Sequence, residues 1–138
     1  FRSRLGSEHV LVVHAQDGLD ELSLACSNYV AELKNGEVHE YLLNPADVGL
    51  KTQALDGLSV DNVAQSLARL EDTLSKRQLP HANKAADMIA LNAGAALYVA
   101  GMTSSIKQGV AMAEDAIYSG LALEKMAALR DFSRAFLV

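Results

Sequence analysis

The pair Asn35-Gly36 constrains the fold of this chain more than any other sequence feature, because it lies between two runs typical of β-strands. The first run covers residues 29–34 and the second covers residues 37–43. An Asn-Gly pair in this position predicts a β-hairpin, and a two-residue loop sets the register of its strands. The predicted cross-strand pairs are Lys34 with Glu37, Leu33 with Val38, Glu32 with His39, and Val30 with Tyr41.

The same register sorts the side chains of the hairpin between two faces. Four polar residues share one face near the turn, and that face is predicted to be solvated: Glu32, Lys34, Glu37 and His39. Leu33 and Val38 occupy the other face. His39 is accordingly interpreted as a surface partner of Glu32 across the strands, and a role as a catalytic base is disfavoured.

An apolar run, Val10–Val13, precedes a loop that carries two adjacent acids. The run predicts a buried strand over residues 9–14, and Gly18 allows the chain to turn sharply after it. In open α/β sheets, ligands bind just beyond the carboxyl ends of the strands. Asp20 and Glu21 are therefore the side chains of this sequence best placed for chemistry.

Asp20 and Glu21 have the chemistry of magnesium ligands. Adjacent side chains point apart, so the pair suits two neighbouring ions, or one ion with its waters. Mg²⁺ commonly uses one or two carboxylates together with water and substrate phosphates. The residues alone predict a Mg²⁺–phosphate or Mg²⁺–pyrophosphate site, and the alternative is a solvated pair of surface acids. His14, at the strand end, is either a neighbour of that site or bonded to the backbone.

The second half of the chain carries the apolar periodicity of packed helices. A first helix is predicted from an N-cap at Ser59 as far as Leu74, and the segment Lys76–Pro80 follows it. Three more helices are predicted over residues 82–100, from Thr103 or Ser104 to about Tyr118, and near 121–136. Asn92 lies inside the apolar stripe of the second helix. We interpret it as a buried amide bonded to a loop backbone, in preference to the alternative of a ligand contact.

Composition and charge disfavour several classes of function. The net charge of −5 argues against a nucleic-acid or anionic-membrane surface. No apolar run approaches the roughly 20 residues of a membrane-spanning helix. The single cysteine, Cys26, excludes an internal disulfide and an all-cysteine zinc site, and it fits a reducing cytoplasm. The opening residues 1–6 are predicted to be a helix end closed by Gly6, so we expect a piece of a longer protein.

Several longer motifs follow one another along the chain: VVHAQDGLDE, VAELKNGEVHEY, NPADVGLKTQAL, LNAGAALYVAG and SIKQGVAMAEDAIYSGLA. Together they resemble the C-terminal part of the anthranilate phosphoribosyltransferases over residues 5–135, and DGLDE is the most specific of them. The resemblance implies an α/β fold of the nucleoside phosphorylase and phosphoribosyltransferase type, with a mostly parallel sheet. Residues 1–138 would form the C-terminal portion of the glycosyltransferase family 3 α/β domain, with one sheet strand, the β-hairpin and packed C-terminal helices.

The resemblance implies transfer of the phosphoribosyl group from phosphoribosyl pyrophosphate to anthranilate, in tryptophan biosynthesis. Asp20 and Glu21 match the family's acidic pair, which binds the Mg²⁺ that accompanies pyrophosphate. No catalytic or substrate-binding residue is assigned here, because the family's GTGGD loop, KHGN-type segment and anthranilate-binding arginine lie upstream. The family's N-terminal helical domain, which mediates a homodimer, is also absent from these residues. The chain by itself is therefore expected to be inactive.

Two other functions stay open at this point. A pyrimidine nucleoside phosphorylase has the same architecture, and the DGLDE motif disfavours it. A non-catalytic, nucleic-acid-binding relative is disfavoured by the net charge of −5 and by the lack of a basic stripe. The chain also departs from the family pattern at Ala15, where Gly or Ser is frequent, and at Asn28, where Thr is common. Neither residue is expected to touch the acids.

Overall fold

The computed structural model describes residues 6–75 and 80–136. Within these ranges, three strands are followed by a short 3₁₀ helix and four α-helices. Their bounds are β1 His9–Ala15, β2 Asn28–Lys34, β3 Glu37–Leu43, the 3₁₀ helix Pro45–Val48, α1 Val63–Leu74, α2 Pro80–Val99, α3 Ile106–Ser119 and α4 Leu121–Arg134. This arrangement confirms the predicted α/β class. The helix end predicted over the opening residues, and most of the Lys76–Pro80 segment, lie outside the described residues.

The hairpin between β2 and β3 forms at the predicted turn. Asn35 has a φ angle of 51° and Gly36 has a φ angle of 87°, and two positive angles are what a type I′ turn requires. The four predicted cross-strand pairs are all present, from Lys34 opposite Glu37 to Val30 opposite Tyr41. The predicted register is therefore confirmed.

Strand β1 completes the sheet by pairing with β2. The two strands are antiparallel, with His9 opposite Lys34 and Ala15 opposite Asn28, and the strand order is β1-β2-β3. Every strand pair in the described part of the chain is thus antiparallel, in contrast to the mostly parallel sheet that the resemblance implies.

One face of this sheet packs on α2 and the other face is open. The open face carries large apolar side chains that are at least half exposed: Val12, Tyr29, Val38 and Leu42. The prediction that Val10–Val13 forms a buried strand is therefore wrong for Val12, which is 50% exposed. The apolar run predicts the strand correctly, but only one of its two faces meets the helices.

The hairpin face that was predicted to be solvated is covered on β2 but exposed on β3, where Glu37 and His39 lie. Glu32 is buried at 8% exposure and Lys34 is half-buried, whereas Val38 on the other face is 64% exposed. The reason is that the Glu32 face turns toward α2, where Tyr98 supplies a polar partner. His39 does stay exposed, as predicted, but its ring lies 3.4 Å from the Glu37 carboxylate instead of contacting Glu32.

Glu32 is the centre of a buried hydrogen-bond network between the sheet and α2. Its carboxylate accepts from Tyr98 Oη at 2.7 Å, His9 Nε2 at 2.9 Å and Tyr41 Oη at 3.0 Å. Lys34 Nζ in turn donates to Tyr98 Oη at 2.8 Å. Burial by itself would raise the pKa of Glu32, but the bonds from Tyr98, His9 and Tyr41 outweigh burial and lower the pKa.

The substitution Glu32→Gln is expected to destabilise the fold at neutral pH by roughly 2 kcal/mol, since hydrogen bonds to a charged group are lost. Because the folded-state pKa of Glu32 lies below its ordinary value of 4.5, this stabilisation is complete above that value. It is lost as the pH falls through the folded-state pKa. Thermal unfolding should therefore separate the wild type from Glu32→Gln at neutral pH and much less at strongly acidic pH. Glu40→Gln, at an exposed position of β3, is the control, and its thermal unfolding should match that of the wild type at both pH values.

Helix α1 begins later than predicted and lies near the surface. Its N-cap is Asn62, whose Oδ1 accepts from Gln65 N at 3.0 Å, so the prediction of Ser59 as the cap is wrong. Val63 is 84% exposed, and the buried residues of the helix are Thr73 and Leu74 in its last turn. The apolar stripe thus predicts the helix correctly but overstates its burial.

Helices α2 and α3 form the centre of the helical layer. Leu91 of α2 and Val110 of α3 are almost completely buried, and their backbones meet at Gly94 and Gly109. Helix α3 is capped by Ser105, whose hydroxyl accepts from Gln108 N. This cap lies one residue after the predicted Ser104 and two after the alternative, Thr103. None of the described helices combines the length and apolar character needed to cross a bilayer.

Candidate metal site

The loop after β1 reverses direction through a tight turn. Gly18 N donates to Ala15 O at 3.0 Å, and Ala15 N donates to Leu19 O at 3.0 Å. Gly18 has a φ angle of 96°, which a residue with a side chain rarely adopts, so glycine is required at this position. The turn places Asp20 and Glu21 directly after the carboxyl end of the strand, as predicted.

Asp20 and Glu21 are exposed, and within the described residues neither carboxylate has a hydrogen-bond or ion-pair partner. Asp17 of the same loop behaves differently. Its carboxylate accepts from Ser23 Oγ at 2.6 Å and from Leu19 N at 3.3 Å, and the bond from Ser23 is the main reason that its pKa is lowered. The loop therefore uses one of its three acids internally and leaves the other two available.

The chain that follows the acids is held by Asn92 of α2. Asn92 Oδ1 accepts from Leu22 N at 3.0 Å, and Nδ2 donates to Leu22 O at 2.9 Å and to Met88 O at 3.1 Å. Leu22 itself is only 1% exposed. The prediction that Asn92 is a satisfied amide bonded to a loop backbone is confirmed, but the residue is half-buried and not buried as predicted.

A second amide, Asn28, holds the same loop from the sheet side. It is completely buried, its Oδ1 accepts from Ser23 N at 2.7 Å, and its Nδ2 donates to the carbonyls of Ser23, Cys26 and Leu43. In the sequence, Asn28 stands out only as a departure from the Thr that is common in the family. The available signal was its place between a loop and the start of a strand, where Asn side chains commonly bond to nearby backbone.

His14 does not join the acids in this structure. It is exposed on the open face of the sheet, and its ring stacks on Tyr29 with 6.5 Å between centroids and 12° between planes. Its proposed place beside a metal site stays a prediction.

A groove of about 360 Å³ opens beside Glu21, between α1 and α2. Its walls are mostly apolar and include Val60, Leu70 and Met88. Arg69 also lines the groove, and its guanidinium donates to the carbonyl of Gly57. Glu21 thus borders an open, solvent-accessible space with room for an ion and its waters.

The donor set of the loop fits Mg²⁺. Carboxylate oxygens are the hard ligands that this ion prefers, and neither Asp20 nor Glu21 bonds to another residue within ranges 6–75 and 80–136. No group of three or more His, Cys, Asp or Glu side chains in the described ranges could enclose a metal. An ion held by this pair would draw its remaining ligands from water or substrate phosphates, which is the coordination that Mg²⁺ commonly adopts.

Comparison with known protein families decides where this chain belongs. The family model described as "Glycosyl transferase family, a/b domain" matches residues 2–123. The chain belongs to this family. The match includes the sheet, the acidic loop and helices α1 to α3, so the predicted type of fold is confirmed.

Curated relatives of the chain are anthranilate phosphoribosyltransferases. The enzyme from Azotobacter vinelandii is 54% identical over 134 residues, which are 97% of this chain and 38% of that enzyme. The enzyme from Pseudomonas syringae pv. tomato is 57% identical over 133 residues, which are 96% of this chain and 38% of that enzyme. The chain thus spans less than half the length of these relatives.

Solved structures of this family share the fold. Anthranilate phosphoribosyltransferase from Thermus thermophilus is 39% identical, with a TM-score of 0.75 over 91% of this chain and 36% of that one. The Saccharomyces cerevisiae enzyme, in complex with PRPP and Mg, is 24% identical, with a TM-score of 0.68 over 84% of this chain and 32% of that one. The second likeness concerns the fold alone.

Proposed function

We propose that this chain supplies the magnesium loop of an anthranilate phosphoribosyltransferase. The observation that carries the proposal is the pair Asp20 and Glu21, exposed and unpaired within the described residues on a loop whose neighbouring residues are held by two buried amides. The relatives that are more than half identical carry the name of this activity. The reaction transfers the phosphoribosyl group from phosphoribosyl pyrophosphate to anthranilate.

The chemistry of the reaction explains why the loop is acidic. Pyrophosphate leaves C1 of the ribose as a highly charged anion, and bound Mg²⁺ supplies stabilisation of that charge. Asp20 and Glu21 would hold the ion at the end of β1, facing solvent and substrate. The amine of anthranilate is already a nucleophile, so no side chain of this chain is assigned as a general base.

The remaining parts of the activity are proposed to lie outside residues 1–138. The chain covers 38% of its relatives, and we assign it to the C-terminal portion of their α/β domain. The Gly-rich phosphate loop, the anthranilate site and the N-terminal helical domain that forms a homodimer would come from the other segments. We also propose a cytoplasmic location, which suits the single, free Cys26.

The test uses a chimera in which this chain replaces the aligned segment of the Azotobacter vinelandii enzyme. In that chimera, Asp20→Asn combined with Glu21→Gln is expected to lower Mg²⁺-dependent turnover on the order of 100-fold or more, because the charge on pyrophosphate loses its stabilisation. Both residues are exposed, so the melting temperature should hardly change. Turnover is followed by the loss of anthranilate fluorescence.

The matched control is Glu37→Gln with Glu40→Gln, which removes the same charge from exposed positions of the hairpin. Its turnover should equal that of the unmodified chimera. Near-normal turnover of the Asp20 and Glu21 variant would exclude the metal assignment. Turnover of thymidine with phosphate, in place of anthranilate, would favour the nucleoside phosphorylase alternative.

A further inference from the structure

We propose that Asn92 is a positioning residue that holds the acidic loop in its metal-binding geometry, an inference that rests on the proposed function. Asn92 lies on α2, 70 residues after Leu22 in the sequence, and bonds to both backbone polar groups of Leu22. Leu22 directly follows Glu21. The side chain therefore anchors the peptide next to one of the two proposed ligands.

Both N–H groups of the Asn92 amide donate a hydrogen bond, and its oxygen accepts one. Oδ1 accepts from Leu22 N, and the two hydrogens of Nδ2 go to Leu22 O and to Met88 O. The bond to Met88, one helical turn earlier, fixes the side-chain rotamer on α2. Rotation of the amide would break at least two bonds, so this planar group holds the Leu22 backbone in one position and orientation.

The support on either side of the loop is rigid. Next to Asn92 on α2, Ala90 and Leu91 have no exposed surface, so this part of the helix is fixed in the core. From the sheet side, Asn28 holds Ser23 through both its backbone N–H and its carbonyl. The Leu22–Ser23 segment is thus clamped between helix and sheet, and the two acids project from its N-terminal side.

A clamp of this kind acts on metal affinity and not only on stability. Ligands that are held in place beforehand lose less freedom when the ion binds, and contacts behind the ligands commonly change metal affinity by about 10–100-fold. A purely structural amide would lower the melting temperature and leave the affinity of the folded protein for metal unchanged. These two roles predict different measurements.

The experiment uses the same chimera, with Mn²⁺ as the probe for the metal and phosphoribosyl pyrophosphate present. Asn92→Ala and Asn92→Leu both remove the clamp, and the leucine variant nearly keeps the side-chain volume. Each is expected to raise the Kd for Mn²⁺, measured by electron paramagnetic resonance of the free ion, by about 10-fold or more. The Mg²⁺ concentration for half-maximal turnover should rise similarly, while kcat at saturating Mg²⁺ changes by less than about threefold.

The control variant is Ile117→Val, which trims a buried core residue of α3 and leaves the hydrogen bonds of Asn92 and Asn28 in place. It should lower the melting temperature and leave the Kd for Mn²⁺ unchanged. The proposal is overturned if the Asn92 variants keep wild-type affinity, or if Ile117→Val weakens binding to the same extent. If Asp20→Asn with Glu21→Gln also leaves the Kd for Mn²⁺ unchanged, the assignment of the metal loop is refuted. If that variant weakens binding and only the Asn92 variants keep the wild-type Kd, the positioning role alone is refuted.

Discussion

Residues 1–138 by themselves are expected to transfer the phosphoribosyl group at least about 10⁵-fold more slowly than the chimera that carries the same residues. Positioning of two substrates supplies roughly 7–11 kcal/mol of the barrier reduction in well-oriented systems, and each 1.36 kcal/mol is about tenfold in rate. The proposed division of labour assigns the groups that bind anthranilate and phosphoribosyl pyrophosphate to segments outside this chain. An acidic loop without those groups cannot align the reacting atoms.

Three cations in the described part of the chain already donate to other groups of the protein, so they do not replace the missing groups. Lys34 donates to Tyr98 on the covered face of the sheet. Lys84 Nζ donates to the carbonyls of Ala54 and Asp56 at 2.7 Å and 2.9 Å. Arg69, the cation of the groove beside Glu21, donates to a backbone carbonyl. In residues 1–138 alone, bound metal would therefore be the main positive charge available to a pyrophosphate group.

The measurement is the loss of anthranilate fluorescence with phosphoribosyl pyrophosphate and Mg²⁺, for the 138-residue chain and for the chimera at equal concentration. Circular dichroism first verifies that the chain is folded. Addition of the remaining part of the Azotobacter vinelandii enzyme as a separate chain should restore some turnover. If residues 1–138 alone reach within about tenfold of the chimera, the proposed division of labour is wrong.

The substitution Gly109→Ala is expected to destabilise the fold by roughly 3 kcal/mol or more. A Cβ atom at this position would lie 2.1 Å from Gly94 O and 2.8 Å from its carbonyl carbon. Both contacts are with backbone, which cannot rotate away as a flexible side chain can, so α2 and α3 must separate. Separation would loosen the packing of Val110 and Leu91, the most buried large side chains at this crossing.

Thermal unfolding of the 138-residue chain tests this prediction, and a melting temperature lower by about 10 °C is expected. The effect opposes helix propensity, since alanine is favoured over glycine in a helix by about 1 kcal/mol. Ala111→Gly, at an exposed position of α3, is the control that isolates this propensity term and should cost about that amount. An unchanged or raised melting temperature for Gly109→Ala would contradict the close approach of the two helices.

Structural features that depend on residues close together in the sequence could be predicted. The Asn35-Gly36 turn and its register follow from the turn residues alone, because the left-handed angles of the loop are available to Asn and Gly at low cost. The four helices follow from apolar periodicity, although the cap of α1 was misplaced. Ser59 and Asn62 are both good N-caps, and their local chemistry does not decide between them.

The candidate site could be predicted only in part. The position of Asp20 and Glu21 after a strand made them candidates, and the resemblance assigned them to magnesium, which stays a prediction. Their availability became visible only in the structure, where Asp17 accepts a hydrogen bond from Ser23 while Asp20 and Glu21 have no partner among the residues that the structure describes. The three acids lie in five residues, and their composition does not reveal which one the loop itself uses.

The hairpin register, the order of strands and helices, and the chemical character of the acidic loop all follow from local sequence. Helix packing on the sheet sets which of its faces is covered, and therefore why Glu32 is buried while Val38 is exposed. The helix packing also decided the close contact of Gly94 with Gly109 and the partner of Asn92. The physical reason is distance along the chain: strand alternation defines two faces, but the residues that cover one of them, such as Tyr98, are supplied by a helix more than 60 positions away.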